Sequence, residues 1–313
     1  MTANYKYKSN LLVEQHFHGL FGCDFSFCTT DEVLRLSKDI LKVGIGGFFP
    51  TLVTDSIENI NRQVARIKLA AEKQTPEMAK ILGIHVEGIF INPQKKGIHD
   101  EKKFLPATVE NYKLIEDDFI KIVTLAPELD AGGELRKYLL SKGVKVQAGH
   151  CIGGDLEYCT GATHLFNAMA GVTHRGKSTA LSALVNDDIY TEIIADGVHL
   201  SDDIINLVFK SKPEDKVILV SDSLPLTKSD IKEMMFAGEK VYYDGKRATS
   251  SEGTLAGSTA VINEIVKRLS KLNPDNFEKY VKCASDNLYA YHNINLSGAV
   301  YWDDDFNIVN VEI

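Results

Sequence analysis

The sequence predicts an α/β protein: a (β/α)8 TIM-like barrel carrying a reduced remnant of a small β-domain. Eight apolar runs alternate with helical segments, which implies a parallel sheet, and eight is the number that closes into a barrel. The candidate functional residues His16, His18, Glu87, His150, His164, His199 and Asp222 all fall at or just past the C-terminal end of such a run. That is the end where barrels of this kind place their chemistry, whereas ordinary core residues would scatter along the strands. The 313 residues hold no repeat, low-complexity tract or linker that would mark a second large domain, and α/β barrels of this length are commonly one domain.

Taken in order, Leu11–His18 is the first strand; alternate residues of a strand share a face, so His16 and His18 point the same way, as in a two-His chelate. Thr29 and Glu32 form a capping-box pattern ahead of a helix to Val43, with Val33, Leu36, Ile40 and Val43 at helical spacing. Gly44 ends it. Gly46–Val53 is the second strand, Ser56–Lys73 an amphipathic helix, and Ala79–Gly88 the third strand, ending on Glu87. Ile89–Pro106 has no periodicity and reads as a functional loop. Thr108–Glu116 is helical, Ile120–Leu125 the fourth strand, and Gly133–Lys142 a helix closed by Gly143. Val144–Gly149 and Gly161–Leu165 are the fifth and sixth strands, each running into a histidine. Ala180–Val185 is helical, Tyr190–Ala195 the seventh strand, Ser201–Lys210 a capped helix, and Lys216–Ser221 the eighth strand. This barrel takes up residues 1–240. A hairpin and substrate-contacting loop at 241–258 turns around Asp244-Gly245. Helices Ala260–Leu272 and Asn276–Tyr289 fill 259–298, and 299–313 is a closing hairpin.

Composition narrows the partners. Hydrophobic content of 44% and charged content of 25% are those of an ordinary soluble domain, and the net charge of -8 argues against nucleic acid or an anionic membrane. It leaves room for an anionic small molecule, which one local Arg or Lys can serve. The N-terminal stretch MTANYKYKSN has no apolar signal-peptide core, and no run approaches the roughly 20 apolar residues of a membrane span. Five cysteines form no CxxC pair and read as reduced thiols, so a cytoplasmic protein is expected.

The strand-end residues suggest a chemistry. His16, His18, Glu87, His150, His164 and Asp222 could hold one or two divalent ions with N and O ligands; Zn²⁺ is the simplest choice, with Fe²⁺, Mn²⁺ and Co²⁺ as alternatives. Glu87 is the natural bridge between two ions. Such a site lowers the pKa of a bound water towards about 7 and polarises a carbonyl, the two needs of amide hydrolysis. Asp222, directly after the eighth strand, is placed to act as acid and base. Each residue also has a plainer reading: Asp222 as a cap for the next turn, Glu87 as a solvated strand end, each histidine as a packed core residue.

The segments IHVEGIFINPQKKGIH (84–99), GH (149–150), THLFNAMAGVTHR (163–175), ADGVHL (195–200), VSDS (220–223) and GTLAGS (253–258) together resemble the N-acetylglucosamine-6-phosphate deacetylases of the amidohydrolase superfamily. The likeness runs from His16 to about Gly298. It implies metal-dependent removal of acetate from the 2-acetamido group of a sugar phosphate. By motif, Glu87, His150 and His164 would be metal ligands and Asp222 the catalytic acid/base, with His199 contacting the substrate and helping to polarise its carbonyl. Ile98, His99, Asn167, the Ala168 backbone and the Leu255-Ala256-Gly257 turn would line the sugar pocket. Arg175 would meet the phosphate, in the family from the neighbouring subunit, which implies a homodimer. The His16/His18 pair varies within the family, so one metal or two stays open. Three departures stand out: few residues before the first strand, no G-x-x-A-D ending, and a short linker between His150 and His164. The first two imply a small β-domain cut to a remnant, and the third a lost or shrunken helix beside the pocket. Another N-acyl sugar, an N-acyl amino acid, or a sugar-phosphate sensor without turnover are the alternative readings.

Overall fold

The computed structural model describes residues 5–176 and 178–313, so the start of the polar MTANYKYKSN stretch lies outside it. Eight parallel strands form one continuous curled sheet: β1 Leu12–Phe17, β2 Ile45–Leu52, β3 Ile84–Glu87, β4 Ile120–Leu125, β5 Lys145–Ala148, β6 Gly161–Ala162, β7 Tyr190–Ile193 and β8 Val217–Leu219, each beside its successor. The seam between β8 and β1 closes just beyond the strand ends. The Asp222 amide donates to the His16 carbonyl (2.9 Å) and the His18 amide to the Ser223 carbonyl (2.8 Å). The Ser221 amide donates to the buried Glu14 carboxylate (3.1 Å). The fold is a (β/α)8 barrel.

The connections are α1 Thr30–Asp39, α2 Ile57–Lys73, α3 Val109–Tyr112, α4 Glu134–Ser141, α5 Thr179–Val185 and α6 Asp202–Ser211. The expected capping box opens α1: Glu32 N–H donates to Thr29 Oγ1, and Thr29 N–H donates back to the Glu32 carboxylate (2.8 Å). Between β5 and β6 no helix forms, as the short linker implies.

Several elements differ from the sequence expectation. The third strand breaks at Leu82-Gly83: Lys80–Ile81 pairs with β2 alone, and β3 then runs between β2 and β4. The sixth strand is only two residues long, because the chain turns to a left-handed backbone at His164 (φ 30°) and leaves the sheet. The helix expected over Thr108–Glu116 keeps only one turn. The single helix expected over Asn276–Tyr289 is two, α8 Phe277–Cys283 and α9 Asp286–His292, after α7 Ile262–Leu272. The break has a cause: the Ala284 carbonyl accepts from the Val13 amide of β1 (2.9 Å) rather than continuing the helix. The hairpin around Asp244-Gly245 gains an unforeseen partner, making a three-stranded sheet of β9 Glu233–Phe236, β10 Glu239–Tyr243 and β11 Ala248–Ser250. The closing hairpin, β12 Ala299–Trp302 and β13 Ile308–Glu312, likewise takes the N-terminal strand Tyr7–Ser9 as its third member. Trp302 is fully buried there, its indole N–H donating to Ser9 Oγ (2.9 Å).

α9 closes the N-terminal end of the barrel. Its Asn287 side chain donates to the Val217 carbonyl at the start of β8, and Tyr289 Oη donates to the Leu11 carbonyl just before β1. Leu288 and Tyr291 pack against Val13, Phe49, Ile122 and Ile218 from the strands. The opposite, C-terminal end is left to polar side chains.

Candidate active site

At that end Glu87, 2% exposed, ends β3 and is the hub. One carboxylate oxygen lies 3.1 Å from His150 Nε2 and 3.0 Å from His164 Nε2. The other lies 3.2 Å from His18 Nε2 and 3.4 Å from His16 Nε2. Asp222 Oδ1 faces the second pair, at 3.1 Å from His18 and 3.6 Å from His16. The six strand-end residues singled out in the sequence are thus in one place, in two groups that share Glu87.

The second group depends on an irregularity in β1. Between Glu14 and Phe17 this strand advances three residues while β2 advances two, a β-bulge. Simple alternation would turn Gln15 away from His16. With the bulge both side chains reach the same buried carboxylate, Glu192 of β7, at 2.6 and 3.0 Å.

Hydrogen bonds around the rings set their tautomers. His150 Nδ1 faces the Lys95 carbonyl (2.7 Å) and His18 Nδ1 the Thr51 carbonyl (3.3 Å). A carbonyl only accepts, so Nδ1 carries a hydrogen on both rings and Nε2 is the nitrogen turned towards Glu87. His99 is the reverse. The Thr54 amide (3.4 Å) points at its Nδ1, and the Thr54 hydroxyl (2.8 Å), itself accepting from the Ile89 amide, donates there too. Its Nε2 therefore bears the hydrogen, which suits a donor to a ligand better than a metal ligand, although it stands 3.6 Å from Glu87.

The electrostatics describe a site short of positive charge. Burial disfavours the charged form of His16, yet Glu87, Glu192 and Asp222 around it hold its pKa well above the usual range. Burial likewise opposes charge on His18, but the Asp222 and Glu87 carboxylates beside it bring it up to about 9. For Asp222 burial works upward, and His16 and His18 overcome it to hold the carboxyl at about 2. A divalent cation bound here would displace the Nε2 protons of His16 and His18 and meet the same carboxylates. His16 Nε2 and Asp222 Oδ1 are both buried with no hydrogen-bond partner, and His150 Nε2 and His164 Nε2 face each other at 3.1 Å. Lone pairs crowded together in this way fit a divalent cation held by N and O ligands.

Around this centre lies a pocket of about 330 Å³, within the usual range for small molecules. Ile98, His99, Asn167, Ala168, His199, Leu255 and Gly257 line it, as do Lys95, Phe236 and Thr254. Ala256 does not; it is fully buried in the apolar cluster beneath the β9–β11 sheet. Arg175 sits on the exposed 171–176 segment and is not among the residues that line the pocket of its own chain. His199 is held by Asp196, whose carboxylate accepts from the His199 amide (2.9 Å) and from its Nδ1 (2.9 Å). Burial lowers the His199 pKa, but Asp196 more than compensates and raises it. Sequence reasoning passed over Lys95, Phe236 and Glu192. Lys95 stands inside the quoted QKKGIH motif, and Glu192 showed one signal, a carboxylate within an otherwise apolar barrel strand. Phe236 belongs to the unforeseen strand β9.

No protein-family model matches the chain. Over 288 residues it is 32% identical to the N-acetylglucosamine-6-phosphate deacetylase of Bacillus subtilis (strain 168), an alignment covering 88% of this chain and 73% of that one. With the human N-acetylglucosamine-6-phosphate deacetylase it shares 30% identity over 297 residues, 87% of this chain and 71% of that one. Its fold superposes on the crystal structure of the N-acetylglucosamine-6-phosphate deacetylase from Thermotoga maritima with a TM-score of 0.88 at 26% identity, covering 97% of this chain and 86% of that one.

Proposed function

The chain belongs to the N-acetylglucosamine-6-phosphate deacetylase family, and from that premise we propose that it hydrolyses the acetamido group of N-acetylglucosamine 6-phosphate to glucosamine 6-phosphate and acetate. The observation that carries this reading is the convergence of His16, His18, His150 and His164 on the two oxygens of Glu87 at the floor of the pocket, with Asp222 facing His16 and His18 from the other side. These six residues would hold a divalent metal, Zn²⁺ as the first choice and Fe²⁺, Mn²⁺ or Co²⁺ as alternatives. Their division into two groups sharing Glu87 favours two ions over one. When bound, the metal supplies a water with lowered pKa and polarisation of the amide carbonyl.

The chain's own residues do the rest. Asp222, ionised and buried at the pocket floor, takes a proton from the attacking water and returns it to the nitrogen as the C–N bond breaks. His199, its Nδ1 tied to Asp196, presents Nε2 to the substrate and supports negative charge on the former carbonyl oxygen. His99 and Asn167 offer donors to the sugar, and Phe236, Ile98 and Leu255 form apolar wall. Arg175, absent from its own pocket, would reach the 6-phosphate of a neighbouring subunit, where a guanidinium fork suits it. That makes the working unit a homodimer. No described helix is long and apolar enough to cross a membrane, and a cytoplasmic metabolic role agrees with a phosphorylated sugar substrate.

Acetate release from N-acetylglucosamine 6-phosphate by metal-loaded protein, with the unphosphorylated sugar alongside, tests the proposal. Turnover of the phosphorylated sugar alone is expected. Turnover of neither, with metal bound, would overturn it in favour of another N-acyl substrate or of a binding protein without turnover.

A further inference from the structure

We infer that Glu192 is a positioning residue for the metal site: it fixes the His16 imidazole in the tautomer that leaves Nε2 bare and aims that nitrogen at Glu87 and Asp222. The inference rests on the metal-dependent reading above and assigns a role to a residue outside the proposed ligand set.

The Glu192 side chain is 1% exposed and meets three donors. One oxygen accepts from Gln15 Nε2 (2.6 Å); the other faces His16 Nδ1 (3.0 Å) and accepts from the His164 backbone amide (3.2 Å). An ionised carboxylate can only accept, so the hydrogen between it and His16 sits on Nδ1. The far nitrogen of the ring is buried without a hydrogen-bond partner, 3.4 Å from Glu87 and 3.6 Å from Asp222. Because the same oxygen also takes the His164 amide, two proposed ligands from β1 and from the end of β6 are tied to one anion. That anion is itself held from behind: Gln15 Oε1 pairs with His292 Nε2 (2.7 Å) at the end of α9. A column of hydrogen bonds therefore runs from the helix closing the bottom of the barrel to a nitrogen in the site at its top. A purely structural role for Glu192 would need only its shape and its hydrogen-bonding capacity; orienting and polarising a ligand needs its charge.

Glu192→Gln removes the charge at nearly the same shape: its amide oxygen can still accept from His16 and His164, and its NH2 meets the Gln15 oxygen once that amide turns over. Co²⁺ affinity and stoichiometry are read by equilibrium dialysis with elemental analysis, and site geometry by the visible spectrum of the cobalt protein. The circular dichroism of the metal-free forms checks folding. The expected result is a folded variant that binds Co²⁺ about 10- to 100-fold more weakly, the range for loss of an outer partner of a ligand, with altered d–d bands. A folded variant with wild-type affinity and spectrum overturns the inference. Wild-type protein that binds no Co²⁺ overturns the metal-dependent reading itself, which keeps the two failures distinct. Should the variant not fold, ¹⁵N-histidine NMR of the zinc-loaded wild type decides: a Nδ1–H tautomer at His16 supports the role and a Nε2–H tautomer overturns it.

Discussion

A carboxylate that is to take a proton and give it back needs to be ionised at rest and to face the substrate pocket, and Asp222 is held ionised and lines that pocket. Asp222→Asn keeps the shape and removes the basicity, so hydrolysis should fall about 10²- to 10⁴-fold while elemental analysis shows most of the metal retained. Wild-type turnover in that variant would take Asp222 out of the proton path. His199 offers a second test. Asp196 raises its pKa against the opposing effect of burial, so the ring holds its proton to higher pH than a free histidine would. In Asp196→Asn the main opposition to burial is gone, with Asp222 alone still acting upward, and the alkaline limb of the kcat/KM profile should move to lower pH; an unchanged limb would show that the His199 charge plays no part. At this scale the sequence was informative because strand-end position is a strong signal. His16, His18, Glu87, His150, His164 and Asp222 were all legible that way. Glu192 and Lys95 were not, since one acts from inside the barrel and the other touches His150 through its backbone carbonyl.

Strand ends also make demands on the backbone. Gly88 follows Glu87 with φ 116°, and a Cβ there would lie 2.0 Å from the Thr54 hydroxyl and 3.0 Å from His99 Nδ1. Gly88→Ala would displace the pair that sets the His99 tautomer and would force an alanine into a conformation that L-residues rarely adopt, costing about 1–3 kcal/mol. Thermal unfolding should show a Tm several degrees lower, and KM should rise with it; an unchanged Tm would mean the loop relaxes freely. Helices and central strands were legible from periodicity and caps, as the Thr29–Glu32 box shows. Features that tertiary contacts decide were not: the break at Ala284, made by a hydrogen bond from β1, the bulge at Gln15-His16, and β9, whose four residues make too short a run to read as a strand without the partner strand it pairs with.

On the scale of the whole molecule, the barrel is closed below by α9 and roofed above by the Ile89–Pro106 loop and the β9–β11 sheet, which Lys96 and Glu239 link (3.2 Å). Arg175 is exposed and does not line this enclosure. If the proposed homodimer brings it to a neighbour's phosphate, Arg175→Ala should raise KM for the phosphorylated sugar by about tenfold or more, the worth of a charge-assisted hydrogen bond, and leave kcat nearly unchanged. Light scattering should give a dimer mass for both proteins. A monomeric wild type with normal KM for the phosphorylated sugar would remove the shared site. The backbone at the rim carries one further implication. His150 (φ 48°), His164 (φ 30°) and Asp222 (φ 51°) all adopt the left-handed conformation, where glycine or asparagine would sit with less strain. A laboratory population selected only for heat tolerance would therefore find its easiest gains at these three positions, and would lose its catalyst while it became more robust.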